Sequence, residues 1–277
     1  MSNSITPVSF GGAAANIRRS GAELLARARA PRRPAPARSA AMLGAVFAGF
    51  LALLALISWG IDLPAALGAR TLPEALVSVA AYVTLLGSAG YLVLGSGVLA
   101  VLCAALRGDQ YSAPARAGIA LLGQRALYVL ASVVLSGLLG QILKHLIGRA
   151  RPRLLDEFGP WHFDYLSLKA TLASMPSGHT LTAFAAALAI GAFTPRLRSV
   201  LLLLAVLVAA SRVILGAHYP TDVLAGAAVG IVSALIAAEF FAARRIAFEH
   251  ERGGGINVRG RGLCLAAWRE VWHRPGA

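Results

Sequence analysis

The sequence predicts an all-α integral membrane protein, a bundle of six transmembrane helices with a basic tail at each end. Of its 277 residues, 57% are hydrophobic and only 14% are charged. Several apolar runs approach the ~20 residues that a helix needs to cross a bilayer. A soluble core with this much apolar material would alternate polar and apolar residues at helical or strand spacing, and these runs do not. The composition therefore argues against a soluble globular fold.

The chain divides into three predicted segments. Residues 1–39 form a basic cytoplasmic tail, 40–243 the six-helix transmembrane domain, and 244–277 a second basic cytoplasmic tail rich in Gly and Arg. The predicted spans are 40–61, 76–106, 118–147, 177–193, 199–217 and 221–243. The second and third exceed the length that a bilayer requires, so we expect them to tilt, bend or project from it.

The two tails contain weaker patterns. One helical face in the first tail would be apolar, with arginines elsewhere, which suits a helix lying on anionic lipid. That face would comprise Ile17, Gly21, Leu24, Leu25 and Ala28. In the second tail, Trp268 and Trp272 are four residues apart, as in a short interfacial helix. Disorder is the alternative for both tails.

The basic residues orient the predicted bundle. With the amino terminus in the cytoplasm, nineteen of the 26 Lys and Arg residues lie on the cytoplasmic side and seven lie outside, in agreement with the positive-inside rule. We therefore predict a multi-pass protein of the inner (plasma) membrane with both termini in the cytoplasm. The net charge of +14 is spread over tails and connections without a nucleic-acid-binding motif, so the predicted partner is the lipid bilayer and not nucleic acid. No obligate protein partner is predicted.

The two cysteines, Cys103 and Cys264, have neither the spacing of a metal site nor that of a disulfide framework. The first apolar run begins only near Ala40 and is too long for the core of a typical signal peptide. We therefore expect neither a structural disulfide nor a cleaved signal peptide.

Basic residues follow the third predicted span. Lys144 and Arg151 are seven residues apart, about two helical turns, so both can project from one face. Pro152 disfavours helix at Arg151 and is expected to end the span there. Taken alone, the segment fits equally well with cations that reach from the membrane edge into water.

The fourth predicted span begins with the polar sequence Pro176-Ser177-Gly178-His179. The free N–H groups of a helix start attract anions, Ser177 is a candidate cap, and Gly178 allows a ligand to approach the backbone. An ordinary serine cap would explain everything except His179. An ionisable side chain that enters a membrane span indicates a function.

The turn between the fifth and sixth predicted spans carries a third group. Arg212 closes one span and Asp222 opens the next, with His218 between them. A carboxylate that accepts a hydrogen bond from one imidazole nitrogen leaves the other nitrogen free as a nucleophile or base. A structural ion pair that pins the turn is the alternative for His218 and Asp222.

The predicted topology brings all three groups to one outer face of the bundle, which cations at a membrane edge have no reason to do. Lys144, Arg151 and Arg212 would bind phosphate oxygens. Backbone N–H groups at Ser177 and Gly178 would add donors for developing negative charge.

The same convergence predicts the catalytic groups. His218 would attack phosphorus and form a phosphohistidine, while Asp222 orients it. His179 would protonate the leaving oxygen and then assist the attack of water. The sequence has no carboxylate cluster for Mg²⁺ here, so neither a metal nor another cofactor is predicted.

These residues resemble the three signature motifs of the type 2 phosphatidic acid phosphatase superfamily. In this chain the motifs are Lys144-x6-Arg151-Pro152, Pro176-Ser177-Gly178-His179 and Ser211-Arg212-x5-His218-x3-Asp222. No motif position departs from the pattern, and with the six-helix layout the resemblance covers roughly 40–243. It implies a metal-independent phosphohydrolase with the roles given above. The superfamily also contains soluble vanadate-dependent haloperoxidases, which the membrane spans argue against.

The resemblance implies a phospholipid or isoprenoid-phosphate substrate met at the periplasmic face. Undecaprenyl pyrophosphate, phosphatidate-type lipids and lipid A phosphates all fit, with isoprenoid pyrophosphate preferred on generality alone. Arg149, Arg153 and Lys169 are candidate contacts to an anionic head group or, alternatively, solvated loop charges. The alternative functions are a phosphotransferase with the same intermediate and a non-catalytic lipid-binding membrane protein.

Overall fold

A computed structural model describes residues 10–29, 40–251, 255–260 and 264. The helices in these ranges are α1 (Phe10–Arg29), α2 (Ala40–Ile57), α3 (Leu63–Ala69), α4 (Glu74–Val83), α5 (Ala89–Leu106), α6 (Ala113–Ile147), α7 (Leu155–Phe158), α8 (Gly178–Phe193), α9 (Arg198–Ile214) and α10 (Pro220–Ala243). The described part adds one small antiparallel hairpin, β1 (Phe248–His250) and β2 (Ile256–Val258), with Glu249 opposite Asn257. The all-α prediction is confirmed, with this hairpin as a minor addition. The predicted interfacial helix at Trp268 and Trp272 lies outside the described residues.

Five stretches of the described chain are long and apolar enough to cross a membrane. They are Ala41–Ala69, Glu74–Leu106, Ala113–Ile147, Pro195–Ile214 and Pro220–Ala243. Large apolar side chains such as Phe47, Leu94 and Leu203 are exposed on them, as lipid-facing side chains are in a multi-pass membrane protein. The remaining predicted span corresponds to α8, whose 16 residues extend about 24 Å against a hydrocarbon core of about 30 Å. That span stays a prediction.

The second predicted span is broken, as its excess length suggested. A 3₁₀ turn, Thr84–Gly87, separates α4 from α5. A Cβ atom at Gly87 would lie 2.6 Å from Val208 Cγ1 and 2.9 Å from the His179 carbonyl oxygen. Only glycine allows the backbone to come this close to α8 and α9, so the break lies beside the predicted site.

The chain forms two compact units. The first comprises Met1–Pro36, Val93–Leu130 and Ile236–Ala277, and the second comprises Ala37–Leu92 and Ala131–Leu235. In the first unit, α1 confirms the helical alternative for residues 10–29, and Asn16 Nδ2 donates to the Ala105 carbonyl at 3.0 Å. Tyr128 meets Phe241 and Phe248 edge-on in the same unit. The proline-containing segment 30–39 lies outside the described residues.

In the second unit, α10 packs closely against α8 through two glycines four residues apart. A Cβ at Gly226 would lie 2.7 Å from the Ser177 carbonyl oxygen, and one at Gly230 would lie 2.4 Å from that of Leu181. Small residues at this spacing let two membrane helices approach to backbone contact. The packing holds the start of α10 against the start of α8, where the predicted site residues lie.

Candidate active site

All the predicted site residues lie in the second unit, where hydrogen bonds and electrostatic interactions connect them. They are Lys144, Arg151, Ser177, Gly178, His179, Arg212, His218 and Asp222. The site is formed by the end of α6 and its following segment, the start of α8, the end of α9 and the turn into α10.

Lys144 and Arg151 converge, although not along one helix. The helix ends before Gly148, which has φ +60° and where a Cβ would lie 1.7 Å from the Asp164 carbonyl oxygen. Lys144 Nζ and Arg151 Nη2 both donate to the Ala173 carbonyl, at 2.9 and 3.3 Å. The expectation of a shared helical face is therefore wrong. A tight turn at Gly148 and the segment beyond it bring the two cations together.

Ser177 occupies the N-cap position of α8 without capping it through its side chain. Its hydroxyl accepts from the Thr180 hydroxyl at 3.0 Å, and its backbone N–H donates to the Asp222 carbonyl at 2.9 Å. The predicted serine cap is wrong in this respect. A Cβ at Gly178 would meet nothing within 4 Å, so this side of the helix start is open, and the first N–H groups of a helix have no intrahelical acceptor.

His218 is buried, with only 4% of its surface exposed. Its Nδ1 lies 3.5 Å from Ser174 Oγ and 3.6 Å from Asp222 Oδ2. The second distance exceeds that of an ordinary hydrogen bond, so the predicted direct contact is looser than expected. Ser174 Oγ donates to Asp222 Oδ2 at 2.5 Å and can accept from Nδ1–H. This arrangement orients the imidazole through Ser174 and leaves Nε2 free.

The protonation state of His218 follows from its burial. Burial lowers the pKa of His218 to about 4, although the neighbouring Asp222 acts in the opposite direction. The imidazole is therefore neutral at pH 7, which is the form that a nucleophile needs. Ser174 lies two residues before Pro176, where the second motif begins, and no sequence signal distinguished it from an ordinary loop serine.

Asp222 is held at the start of α10 by several donors. Its Oδ2 accepts from the Tyr219 backbone N–H at 2.9 Å. Tyr219 directly precedes the first helical residue, Pro220, so the Asp222 side chain binds back to the N-cap residue as the third residue of a capping box does. Its Oδ1 accepts from Arg149 Nη1 at 2.8 Å. The carboxylate is thus fixed on both oxygens.

Arg149 lies between two buried carboxylates and is only 1% exposed. Its Nη2 donates to Asp62 Oδ2 at 2.7 Å, opposite the bond to Asp222, and its Cζ lies 4.2 Å from the centre of the Tyr219 ring. Burial acts to lower the pKa of Arg149, but the two carboxylates outweigh it and raise the pKa. Arg149 is therefore a structural cation, and its prediction as a head-group contact is wrong. Arg153 and Lys169 are exposed.

Asp62 belongs to this network and was missed in the sequence. It also accepts from the Thr221 backbone N–H at 3.1 Å and from the Thr221 hydroxyl at 2.5 Å. The predicted first span ends at 61, whereas the helical stretch continues through a π-helical segment, Ser58–Asp62, into α3. The sequence did contain a signal, namely an aspartate directly after an apolar run. Placing a carboxylate in a membrane costs free energy, so ionisable residues in or beside a span usually have a function.

The other three cations have no such partners. Arg212 Nη1 donates to the Thr84 hydroxyl at 2.8 Å, and its Nε is buried without a hydrogen-bond partner. In the described part of the chain, Lys144, Arg151 and Arg212 have carbonyl or hydroxyl partners and form no ion pair. Buried or half-buried cations without a counter-charge favour the binding of an anion.

His179 is half-buried in the first turn of α8, with Arg212 and Lys144 as its charged neighbours. No described side chain occupies its ring nitrogens through a hydrogen bond. The ring is thus available to a group that enters the site. Within the described ranges, no three His, Cys, Asp or Glu side chains are placed to hold a metal ion.

The fold and the site together define a multi-pass membrane protein in which a cluster of cations lies beside a buried, neutral histidine. Residues 125–246 match the PAP2 superfamily. The matched segment contains all three motifs, so this part of the chain is similar to that superfamily, as the motifs suggested.

Individual relatives match parts of the chain. The lipid A 1-phosphatase of Rhizobium etli is 41% identical over 115 residues, which are 42% of this chain and 50% of that protein. The bacitracin transport permease protein BcrC of Bacillus licheniformis is 40% identical over 78 residues, 28% of this chain and 37% of that protein. The chain thus spans about half the length of the lipid A 1-phosphatases that it matches.

Among solved structures, the PAP2 type phosphatidylglycerolphosphate phosphatase of Bacillus subtilis aligns with 71% of this chain and 94% of its own, at 25% identity and a TM-score of 0.49.

Proposed function

We propose that this chain is a membrane lipid phosphatase that hydrolyses a phosphate or pyrophosphate monoester through a phosphohistidine on His218. The observation that carries the proposal is the set of three cations without carboxylate partners, Lys144, Arg151 and Arg212. Four cations, including Arg149, face two carboxylates, Asp62 and Asp222, which leaves a formal charge of +2. That charge complements a phosphate monoester of about −1.5 to −2 at pH 7.

The chemistry follows from the free nitrogen of His218. The Nε2 lone pair attacks phosphorus, the bond from phosphorus to the lipid oxygen breaks, and His179 gives its proton to that oxygen. Water then attacks phosphorus, the P–N bond breaks, His179 takes the proton of the water, and phosphate leaves. The cations and the open N–H groups at Gly178 stabilise charge on the equatorial oxygens in both steps.

For the substrate we propose a glycolipid 1-phosphate of the lipid A type ahead of undecaprenyl pyrophosphate. The support is the 41% identity to a lipid A 1-phosphatase over 115 residues. This replaces the preference for isoprenoid pyrophosphate, which rested on generality. We further propose that the site faces the periplasm from the inner membrane, which the distribution of Lys and Arg supports.

The test is phosphate release by the purified full chain in detergent. The lipid panel comprises lipid A, undecaprenyl pyrophosphate, phosphatidate and phosphatidylglycerol phosphate, with mass spectrometry of each product. We expect release from lipid A at the 1-position, and retention of activity in EDTA. His218→Ala should abolish it, whereas His250→Ala, in β1 of the first unit, is the matched control and should retain activity.

The rival functions give different results in the same assay. A phosphotransferase, which excludes water from the phosphohistidine, would release no free phosphate without an acceptor lipid and would label that lipid when it is added. Rapid quenching with ³²P-lipid should trap an acid-labile phosphoenzyme that His218→Ala lacks. Release of phosphate by His218→Ala at the wild-type rate would overturn the proposal and favour a non-catalytic lipid-binding protein.

A further inference from the structure

The segment between the first two motifs is apolar and exposed, which is unusual for a connection. Within residues 158–168, the apolar loop, the exposed fractions reach 70% for Tyr165, 73% for Leu166 and 83% for Leu168. Phe158 and Trp161 are exposed as well. The loop lies outside the stretches that can span a membrane, so contact with the hydrocarbon around a spanning helix does not account for these side chains. Exposed apolar clusters mark sites of interaction.

The apolar loop is firmly attached to the segment that carries Arg149 and Arg151. Residues 162–166 run antiparallel to 146–150, with a bridge between Arg149 and Phe163. The Asp164 N–H donates to the Gly148 carbonyl at 2.9 Å, and Arg151 Nε donates to the Ala170 carbonyl just beyond the loop at 3.2 Å. The loop is therefore an ordered extension of the site.

Leu166 has a backbone conformation that leucine rarely adopts. Its φ is +62°, in the left-handed region where glycine and asparagine are favoured and an ordinary L-residue is strained. Its N–H is held by the Leu146 carbonyl at 3.4 Å. Because the side chain is mostly exposed, packing within the described protein does not offset the strain, and strain of this kind is typical of functional positions.

The position of the apolar loop indicates that it contacts the hydrocarbon of the membrane. Trp161 Nε1 donates to the Ser58 carbonyl at 3.3 Å, which joins the loop to the end of α2, whose apolar side chains face outward. Trp59, the next residue along, is exposed too, and tryptophan is enriched where a membrane meets water. Arg153 and Lys169 are exposed on either side of the loop, where they complement anionic lipid head groups.

We propose that the apolar loop lies in the membrane interface and contacts the hydrocarbon chain of the lipid substrate while its phosphate occupies the cationic site. This inference rests on the proposed phosphatase function and extends it. Leu166 and Leu168 would contact the chain, and the attachment to the segment of Arg149 and Arg151 would set the distance between chain and phosphate. The loop thus selects for lipids over soluble phosphate esters.

The kinetic test compares one head group on two chain lengths. The substrates are dioleoyl phosphatidate in phosphatidylcholine vesicles and water-soluble dihexanoyl phosphatidate, with Leu166→Asn/Leu168→Gln as the variant. We expect kcat/KM on the long-chain lipid to fall roughly tenfold, as loss of two leucine contacts with hydrocarbon implies, with little change on the short one. Leu25→Gln, at an exposed leucine of α1 outside the stretches that can cross the membrane, is the control. An equal fall on both substrates, or no fall, overturns the inference.

The strain at Leu166 supplies a second readout. Leu166→Asn alone should leave Tm unchanged or raise it, because asparagine accepts the left-handed conformation, while long-chain activity still declines. A lower Tm together with an equal loss of activity on both phosphatidates would mean that Leu166 serves packing alone, and would overturn the inference.

A fluorescence experiment tests the loop without any assay of activity. NBD attached to Leu168→Cys, in a Cys103→Ser/Cys264→Ser background reconstituted in vesicles, should show blue-shifted emission that brominated lipid quenches. Asp164→Cys, an exposed polar position in the same loop, should show water-like emission. Water-like emission from position 168 overturns the inference, even if phosphate release is normal. Absence of phosphate release with a membrane-like signal at 168 would instead contradict the proposed function.

Discussion

Arg149 and the other three cations of the site, all in the second unit, differ in the groups that surround them. Arg149 is enclosed between the carboxylates of Asp62 and Asp222. The other group, Lys144, Arg151 and Arg212, has only carbonyl and hydroxyl partners in the described part. Because a buried charge is stabilised only by partners, the difference separates a cation that serves the fold from cations that are available to a phosphate.

The largest expected effect is on stability, from Arg149→Ala. The substitution leaves two buried carboxylates without their shared cation, and breaking such a buried pair costs about 3–5 kcal/mol. Thermal unfolding in detergent should show a large fall in Tm. Arg153→Ala, an exposed neighbour in the same segment, should have nearly the wild-type Tm. An unchanged Tm for Arg149→Ala would remove the distinction between the two groups of cations.

Arg212→Ala should show the opposite behaviour. It removes a cation that no carboxylate offsets, so Tm should stay the same or rise, while kcat/KM falls by about 10²–10³-fold as for other lost transition-state donors. Steady-state kinetics on the best lipid of the panel, together with Tm, measures both. Arg196→Ala, exposed on the connection before α9, is the control. A fall in activity that merely parallels a fall in Tm would contradict the assignment.

The buried His218 should make stability depend on pH. Its pKa is about 4 in the folded chain against an ordinary 6.5, so the unfolded chain binds the extra proton first as pH falls. The stability present above pH 6.5 is therefore lost between pH 6.5 and 4, by an amount on the order of 3 kcal/mol. Unfolding measured from pH 7 to 4 should show this loss in the wild type and a smaller one in His218→Ala. Parallel curves would show that His218 is not buried as a neutral ring.

Asp62→Asn should have the smallest effect and should act through Asp222. The substitution removes one of the two charges that hold Arg149, so Arg149 positions the Asp222 carboxylate less firmly beside His218. Misplacement of a catalytic group lowers the rate roughly 10- to 100-fold. We expect the loss in kcat with little change in KM, and no further loss in an Asp222→Asn background. Asp156→Asn, an exposed aspartate paired with Arg70, is the control. Full additivity of the two substitutions would show that Asp62 acts independently of Asp222.

The spans were largely predictable because lipid imposes a long apolar run on each crossing helix. The predicted 118–147 and 221–243 correspond to α6 and α10 within a few residues. The break in the second span could be expected from its length, but its place could not, because it depends on the contact of Gly87 with Val208 and His179. The end of the first span was wrong because Asp62 is neutralised by partners that only folding supplies.

The motif residues were also predictable, but their contacts were less so. Motif spacing identified Lys144 and Arg151, yet they meet through the Ala173 carbonyl and not along a helix. Likewise His218 and Asp222 were paired from a short turn, while Ser174 between them went unrecognised. These contacts depend on where the fold places Ala173 and Ser174 relative to the motif residues, and a local sequence pattern does not determine that position.

The sequence by itself determined that the chain is an all-α membrane protein, and which residues form the motifs that resemble those of the PAP2 superfamily. Apolar run length, charge placement and motif spacing are local properties that survive without a fold. Only the tertiary structure decided which of the four cations is neutralised, since the Arg149 partner Asp62 is 87 residues away in the chain. A buried cation has no fixed role until its neighbours are known, because the cost of burying charge depends on them.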